Sequence, residues 1–243
     1  MFKNTYKIIS LKKLTETVYD VSVEAPDIAA AAKPGQFLQV TVPGFFLPRP
    51  ISICDVNGTA VRFVFEVRGG GTAAIADSCG EITLFGPLGN GFPENLSDIC
   101  VVGGGIGTPP LLFCAARFDV KKAILGYRSR TAVILKDDFA KITDTEVTTD
   151  DGSCGTSGYA PEALKKHLET NTPGAVFACG PGVMLNAVAK ICSDAKISAY
   201  LSTEERMACA AGACLGCAIK TRSGMKRVCK DGPVFAAGEI TLN

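Results

Sequence analysis

Ile99-Cys100-Val101-Val102-Gly103-Gly104-Gly105-Ile106-Gly107-Thr108-Pro109-Pro110 decides how this chain is read. The leading apolar residues suit a short buried strand, the glycines turn the backbone sharply, and Pro109 suits the first turn of a helix. Strand, glycine turn and helix in that order can open a nucleotide-binding unit, because the helix N-terminus offers free N–H groups to a pyrophosphate. The pattern is not a complete G-x-G-x-x-G, since Thr108 stands where the third glycine would be. On the motif alone, a dinucleotide site and a plain tight turn both stay open.

Beyond this turn, helices are expected over 109–118, 136–141, 161–168 and 182–193, and strands over 123–126, 145–149, 176–179 and 197–201. Such alternation implies a parallel sheet covered on both faces. Before it the character differs. Short β-branched and aromatic runs at 18–23, 36–42, 60–67 and 82–85 are separated by Lys33-Pro34-Gly35, Val42-Pro43-Gly44 and Val56-Asn57-Gly58. Val61, Phe63, Phe65 and Val67 alternate with Arg62 and Glu66, as on a strand with one buried face. Many short strands with a single helix near 72–76 suggest an antiparallel barrel. The expected fold is therefore α+β and multidomain. An antiparallel β-barrel covers 1–96, a doubly wound parallel α/β domain covers 97–201, and a small cysteine-rich subdomain covers 202–243.

The chain has 243 residues, 47% of them hydrophobic, which is enough for a substantial core. Lys and Arg number 25 against 24 Asp and Glu, so no basic surface for nucleic acid or anionic lipid is expected. The N-terminal stretch lacks an apolar core followed by a small-residue cleavage site, and no apolar run approaches membrane-spanning length. A soluble, cytoplasmic protein is expected.

Of the 11 cysteines, only those near the C-terminal end cluster. Cys209, Cys214, Cys217 and Cys229 are spaced C-x4-C-x2-C-x11-C, and the first three match the plant-type [2Fe–2S] pattern. The residues between them, Ala210-Ala211-Gly212-Ala213 and Leu215-Gly216, are small or compact and let a loop wrap closely around sulfide. Structural zinc usually shows two separated pairs, so the spacing favours the iron–sulfur cluster as the metal site.

Other stretches suit cofactors. Arg49-Pro50-Ile51-Ser52 begins a barrel strand, and Gly69-Gly70-Gly71-Thr72 begins a short helix. Both suit a pyrophosphate or ribityl chain, though a surface Arg and an ordinary turn would read the same. Ala178-Cys179-Gly180-Pro181-Gly182 again ends a strand and starts a helix, and Cys179 is either a nicotinamide contact or a small buried residue. No acidic residue ends the second strand of the α/β region. Tyr127-Arg128-Ser129-Arg130 stands there, which leaves NADH against NADPH open on motif grounds. His167, the sole histidine, falls on an expected surface helix, and no proton-transfer triad is visible, so no catalytic residue is assigned.

Pro34-Gly35-Gln36-Phe37, Arg49-Pro50-Ile51-Ser52, Gly71-Thr72, Gly103 to Pro109 and Cys179-Gly180-Pro181, in that order, resemble the ferredoxin–NADP reductase-like flavoproteins over nearly the whole chain. That resemblance implies FAD on the barrel and a nicotinamide nucleotide on the α/β domain. It assigns Arg49, Pro50, Ile51, Ser52, Val64, Phe65, Glu66, Gly71 and Thr72 to the flavin, and Gly103, Gly104, Gly105, Gly107, Thr108, Cys179, Gly180 and Pro181 to the nucleotide. Ile51 removes the tyrosine that usually packs on the flavin. Glu66 follows an aromatic where Arg is common, with Arg68 as the candidate substitute. Thr149-Asp150-Asp151-Gly152-Ser153 resembles a loop near the nucleotide.

Ser202 to Cys209, Gly212 to Cys217 and Arg227 to Phe235 are similar to the electron-transfer subunits of dihydroorotate dehydrogenase B. That resemblance implies a partner subunit whose FMN oxidises dihydroorotate in pyrimidine biosynthesis, with electrons passing through the [2Fe–2S] cluster and FAD to NAD⁺. It also implies a heterotetramer of two plus two subunits. Lys230 and Asp231 beside Cys229 either tune the cluster or form a polar loop. The alternatives are a flavin and iron–sulfur subunit of a ferredoxin-dependent transhydrogenase or sulfide dehydrogenase, and a zinc-stabilised binding module.

Overall fold

A computed structural model describes residues 1–240; positions 241–243, at the end of the expected C-terminal subdomain, lie outside the described residues. Strands β1 (Phe2–Lys13), β2 (Val18–Glu24), β3 (Phe37–Val40), β4 (Arg49–Asn57), β5 (Ala60–Glu66) and β6 (Glu81–Leu88) form a closed barrel in the order β1-β2-β5-β4-β3-β6. Every pairing in it is antiparallel, including β6 back onto β1. Val21, Val23, Leu38, Val40, Ile53, Phe63 and Leu84 fill it, and Ile28 of α1 (Pro26–Ala31) joins the same core. Helix α2 (Gly70–Ala76) follows β5.

The expected alternation along β5 breaks at Val64, which is also buried. At Val64 that face packs against protein. Val64 joins Val18 and Cys54 in a core shared with the next domain.

That domain carries β7 (Ile99–Gly104), α3 (Pro109–Arg117), β8 (Val120–Tyr127), α4 (Lys136–Ala140), β9 (Asp144–Thr149) and β10 (Thr156–Ser157). It continues through α5 (Ala160–Leu168), β11 (Ala175–Cys179), α6 (Gly182–Asp194) and β12 (Ala199–Ser202). These strands pair parallel in the order β10-β9-β8-β7-β11-β12, so the winding reverses between β7 and β11. The period-two alternation of a strand sorts side chains onto opposite faces. Val101, Ala123, Leu125 and Phe177 pack with Leu111 of α3 and Phe139 of α4. Cys100, Val102, Ile124 and Val176 pack with Leu164 of α5 and Val188 of α6. Both faces of the sheet are therefore covered, as a parallel sheet requires.

The cysteine-rich segment contributes the hairpin β13 (Ala218–Thr221) and β14 (Gly224–Arg227), helix α7 (Val228–Asp231) and strand β15 (Val234–Ala236). β15 pairs antiparallel with β12 and extends the nucleotide-domain sheet. Ala210, Cys217, Val228 and Cys229 belong to the same buried cluster as Leu201 and Phe235. With so few large apolar residues, this segment shares the core of the sheet.

Polar contacts also join barrel and sheet. Arg62 of β5 bonds both Asp20 of β2, at 2.8 Å, and Asp138 of α4, at 2.9 Å. No helix among the described residues is long and apolar enough to cross a membrane.

Candidate functional site

In a doubly wound sheet, ligands bind where the winding reverses, beyond the carboxyl ends of the strands. Here a cavity of about 1250 Å³ opens at that place, with Gly104 at the end of β7, Gly105 and Gly107 just after it, and Gly180, Pro181 and Gly182 after β11 among its walls. The glycines are required by close approach. A Cβ on Gly107 would sit 2.5 Å from the Cys179 carbonyl oxygen, and one on Gly104 would sit 2.6 Å from the Met184 sulfur. Gly105 has φ of +53° with nothing within 4 Å, so its backbone faces open space.

The other residues expected at the nucleotide lie behind this turn. Thr108 is buried, and a Cβ on Gly103 would meet its Oγ1 at 3.0 Å. Cys179 is buried among the residues that face α3, and burial pushes its thiol well above the ordinary range. Of the arginines after β8, Arg128 lines the cavity. Arg130 donates instead to the Ser153 carbonyl through Nε at 3.0 Å and Nη2 at 2.6 Å. Asp151 holds that loop by accepting from the Ser153 N–H and hydroxyl at 3.0 and 2.6 Å. His167, partly buried on α5, is in neither this cavity nor the next.

A second cavity of about 210 Å³ lies against the barrel. Arg49, Pro50, Ile51 and Ser52 of β4, Val64, Phe65 and Glu66 of β5, and Thr72 of α2 all line it. Gly71 is covered, because a Cβ there would overlap the Arg49 guanidinium. That guanidinium donates to the Leu47 carbonyl and lies 5.3 Å from the Phe45 ring centroid. Thr72 Oγ1 accepts from the N–H of Arg68 at 2.9 Å and of Gly69 at 3.2 Å, which shapes the loop before α2.

Arg68 Nε donates to Glu66 Oε2 at 2.7 Å, so the guanidinium stands beside the acid that replaces the usual cation. Glu66, Arg68, Ile106, Thr203, Glu204 and Glu205 line both cavities and mark the seam where they meet. Glu204 is exposed where it opens onto this seam. The protein around it partly desolvates its carboxyl and raises it above the ordinary value, while Arg68 pulls the other way. Met207 and Pro233 add to the wall of the smaller cavity. These walls come from segments distant in sequence; Glu204, Met207 and Pro233 lie in stretches that carry the family resemblance, but residue spacing alone does not bring them to the barrel.

Among the four clustered cysteines, Cys214 is exposed, Cys209 half-buried, and Cys217 and Cys229 buried. Cys209 Sγ accepts from the N–H groups of Ala213 and Cys214, at 3.3 and 3.4 Å. Cys217 Sγ accepts from the Cys229 N–H at 3.4 Å. Left-handed backbone at Ala210, Gly212 and Leu215 winds the loop tightly enough to aim these donors inward. The Cys214 N–H leads the donors that hold the Cys209 thiol down at about 6, and burial and then Cys217 push Cys229 up to about 12.

Among the described residues, no three His, Cys, Asp or Glu side chains converge as a single metal ion requires. Backbone N–H groups that donate to the Cys209 and Cys217 sulfurs suit the sulfur-rich surroundings of an iron–sulfur cluster. Arg227 braces the site by donating to the Gly212 carbonyl at 3.1 Å and to Asp231 Oδ2 at 3.2 Å. Asn90, just after the barrel, donates to the carbonyls of Lys230 and Asp231, each at 3.2 Å.

Residues 204–241 match the family model of the iron-sulfur cluster binding domain of dihydroorotate dehydrogenase B. The chain is 41% identical over 238 residues to the dihydroorotate dehydrogenase B (NAD(+)) electron transfer subunit of Clostridium perfringens (strain 13 / Type A), covering 94% of each chain. It is 35% identical to the corresponding subunit of Bacillus caldolyticus across 97% of each. The solved structure of an NADH-dependent reduced ferredoxin-NADP oxidoreductase superposes with a TM-score of 0.90 at 26% identity, covering 98% of this chain and 90% of that one. A ferredoxin NADP+ reductase from Neisseria gonorrhoeae with bound FAD and NADP shares the fold, with a TM-score of 0.63 at 19% identity over 79% of this chain and 91% of that one. Barrel, switch-point cavity and paired cysteines thus occur together in a sequence that matches its relatives from end to end, and the chain belongs to the family of electron-transfer subunits of dihydroorotate dehydrogenase B.

Proposed function

We propose that this protein carries electrons from a catalytic partner subunit, through a [2Fe–2S] cluster and FAD, to NAD⁺. The observation that carries this reading is the continuity of the three sites. Nucleotide and barrel cavities share a seam, and the barrel cavity is walled by Met207 and Pro233. Met207 lies two residues before Cys209, and Pro233 lies four after Cys229. FAD supplies the junction chemistry, because it takes or gives a hydride and also exchanges electrons singly.

The chain's own residues orient and enclose. In this reading Arg49, Ser52 and Thr72 hold the flavin's phosphate and ribityl groups, with Pro50 and Ile51 completing that stretch of β4. Val64 and Phe65 wall the ring, and Glu66 lines the same cavity while paired with Arg68. Gly104, Gly105 and Gly107 let the dinucleotide approach the turn after β7, and Gly180 and Pro181 close it from β11. Gly71, Gly103, Thr108 and Cys179 act from behind, by keeping those walls in place. Cys209, Cys214, Cys217 and Cys229 ligate the cluster. The units 1–96, 97–201 and 202–243 are then the flavin, nucleotide and cluster segments.

The partner is proposed to hold FMN and oxidise dihydroorotate, in a cytoplasmic heterotetramer of two plus two subunits. Coexpression with the catalytic subunit, followed by an assay of dihydroorotate-dependent NAD⁺ reduction, tests the reading. Orotate and NADH should form together. A yellow-brown protein that reduces NAD⁺ only with another donor would point to a different partner, and a colourless zinc protein would end the electron-transfer reading.

A further inference from the structure

Hydride transfer needs the nicotinamide ring against the flavin, so within the function proposed above the ring must occupy the seam between the two cavities. Glu204 stands there, on the boundary of both. Its position is set by the backbone. Ser202 pairs with Val234, and Thr203 bonds the Pro233 carbonyl twice, through its N–H at 2.9 Å and its hydroxyl at 3.1 Å.

Among the described residues Glu204 accepts no hydrogen bond from a side chain, and the nearby Arg68 is bonded to Glu66 at 2.7 Å. A carboxylate so placed has acceptor capacity to spare. An oxidised nicotinamide meets both of its needs, because it brings carboxamide N–H donors and a positively charged ring. The reduced ring keeps the donors and loses the charge.

We propose that Glu204 positions the nicotinamide at the flavin and makes the site prefer the oxidised nucleotide, with Arg68 moderating that preference. Glu204 is a positioning residue and exchanges no proton or electron. The role is electrostatic, so it distinguishes NAD⁺ from NADH and leaves the adenosine and pyrophosphate portion of the nucleotide unaffected.

The test uses the assembled, cofactor-loaded complex and measures dissociation constants for NAD⁺, NADH and ADP-ribose by titration of the flavin spectrum and by calorimetry. Glu204→Gln keeps size and removes charge. It should weaken NAD⁺ about tenfold, as expected for losing a charge-assisted contact, and change NADH and ADP-ribose by less than about twofold. Arg68→Met should shift the NAD⁺/NADH ratio the opposite way. Glu204→Asp, which retains the charge, should keep much of the preference. The proposal is overturned if the ratio is the same in wild type, Glu204→Gln and Arg68→Met, or if both substitutions move it in the same direction. If the wild-type complex binds neither NAD⁺ nor NADH, the function on which the proposal rests fails with it.

Discussion

The side-chain amide of Gln39 donates to the Ala208 carbonyl at 3.0 Å and so ties barrel strand β3 to the residue just before the first clustered cysteine. Gln39 is only 4% exposed, so this bond is made away from water, where an unmatched amide is costly. Gln39→Leu should therefore lower stability by about 1–2 kcal/mol. It should also slow electron passage between cluster and flavin while flavin content stays normal. Chemical denaturation and stopped-flow absorbance would check the two effects; unchanged passage would remove Gln39 from the alignment of the sites.

Arg62 joins β2, β5 and α4, and Asp20 depends on it for charge compensation in a setting where its side chain is 11% exposed. Arg62→Met leaves that carboxylate unpaired and should cost about 3 kcal/mol. Asp138→Asn removes only the more exposed arm and should cost about 1 kcal/mol or less. Equal effects in urea unfolding would contradict this ranking.

Gly107→Ala places a methyl group 2.5 Å from the Cys179 carbonyl oxygen, so the turns after β7 and β11 must separate. A loss of about 1–3 kcal/mol is expected, together with weaker NADH binding. Iron content should not change. Nucleotide affinity equal to wild type would show that the two turns can part without deforming the cavity.

Cys214 is exposed, so Cys214→Ser disturbs little packing. Electron paramagnetic resonance should lose the cluster signal, while NADH still bleaches the flavin. Dihydroorotate-driven NAD⁺ reduction by the complex should fall to background. Retention of that activity would mean that electrons bypass the cluster.

Tyr6 donates to Asp27 Oδ1 at 2.7 Å, and burial followed by that bond pushes its phenol up from 10.0 to about 12. The folded state then holds the proton more tightly than the unfolded state. The resulting stability is complete below about pH 10 and is lost as pH rises toward 12. The stability gap between wild type and Tyr6→Phe should shrink across that window in denaturant titrations.

Legibility followed how local each signal was. The strand and helix around Val101 to Pro109 were readable because apolar run, glycines and proline lie side by side. β1 was not, because Lys3, Lys7, Lys12 and Lys13 mask its one deeply buried side chain, Tyr6, and only pairing with β6 closes the barrel. Helix α1 buries Ile28 alone, too little to show a period. The cysteine cluster was legible because Cys209, Cys214 and Cys217 lie within one short loop. Glu204, Met207 and Pro233 emerged only once folding carried them to the barrel.

Strand β15 bears on how the protein is built in time. It follows all four clustered cysteines in chain order, yet it supplies an edge of the parallel sheet, and Pro233 just before it walls the cavity against the barrel. During synthesis the barrel and the parallel strands emerge first, with that edge of the sheet unpaired and the cavity open on one side. A newly made chain cannot complete that cavity, or cover the outer edge of β12, until the cysteine loop has been laid down.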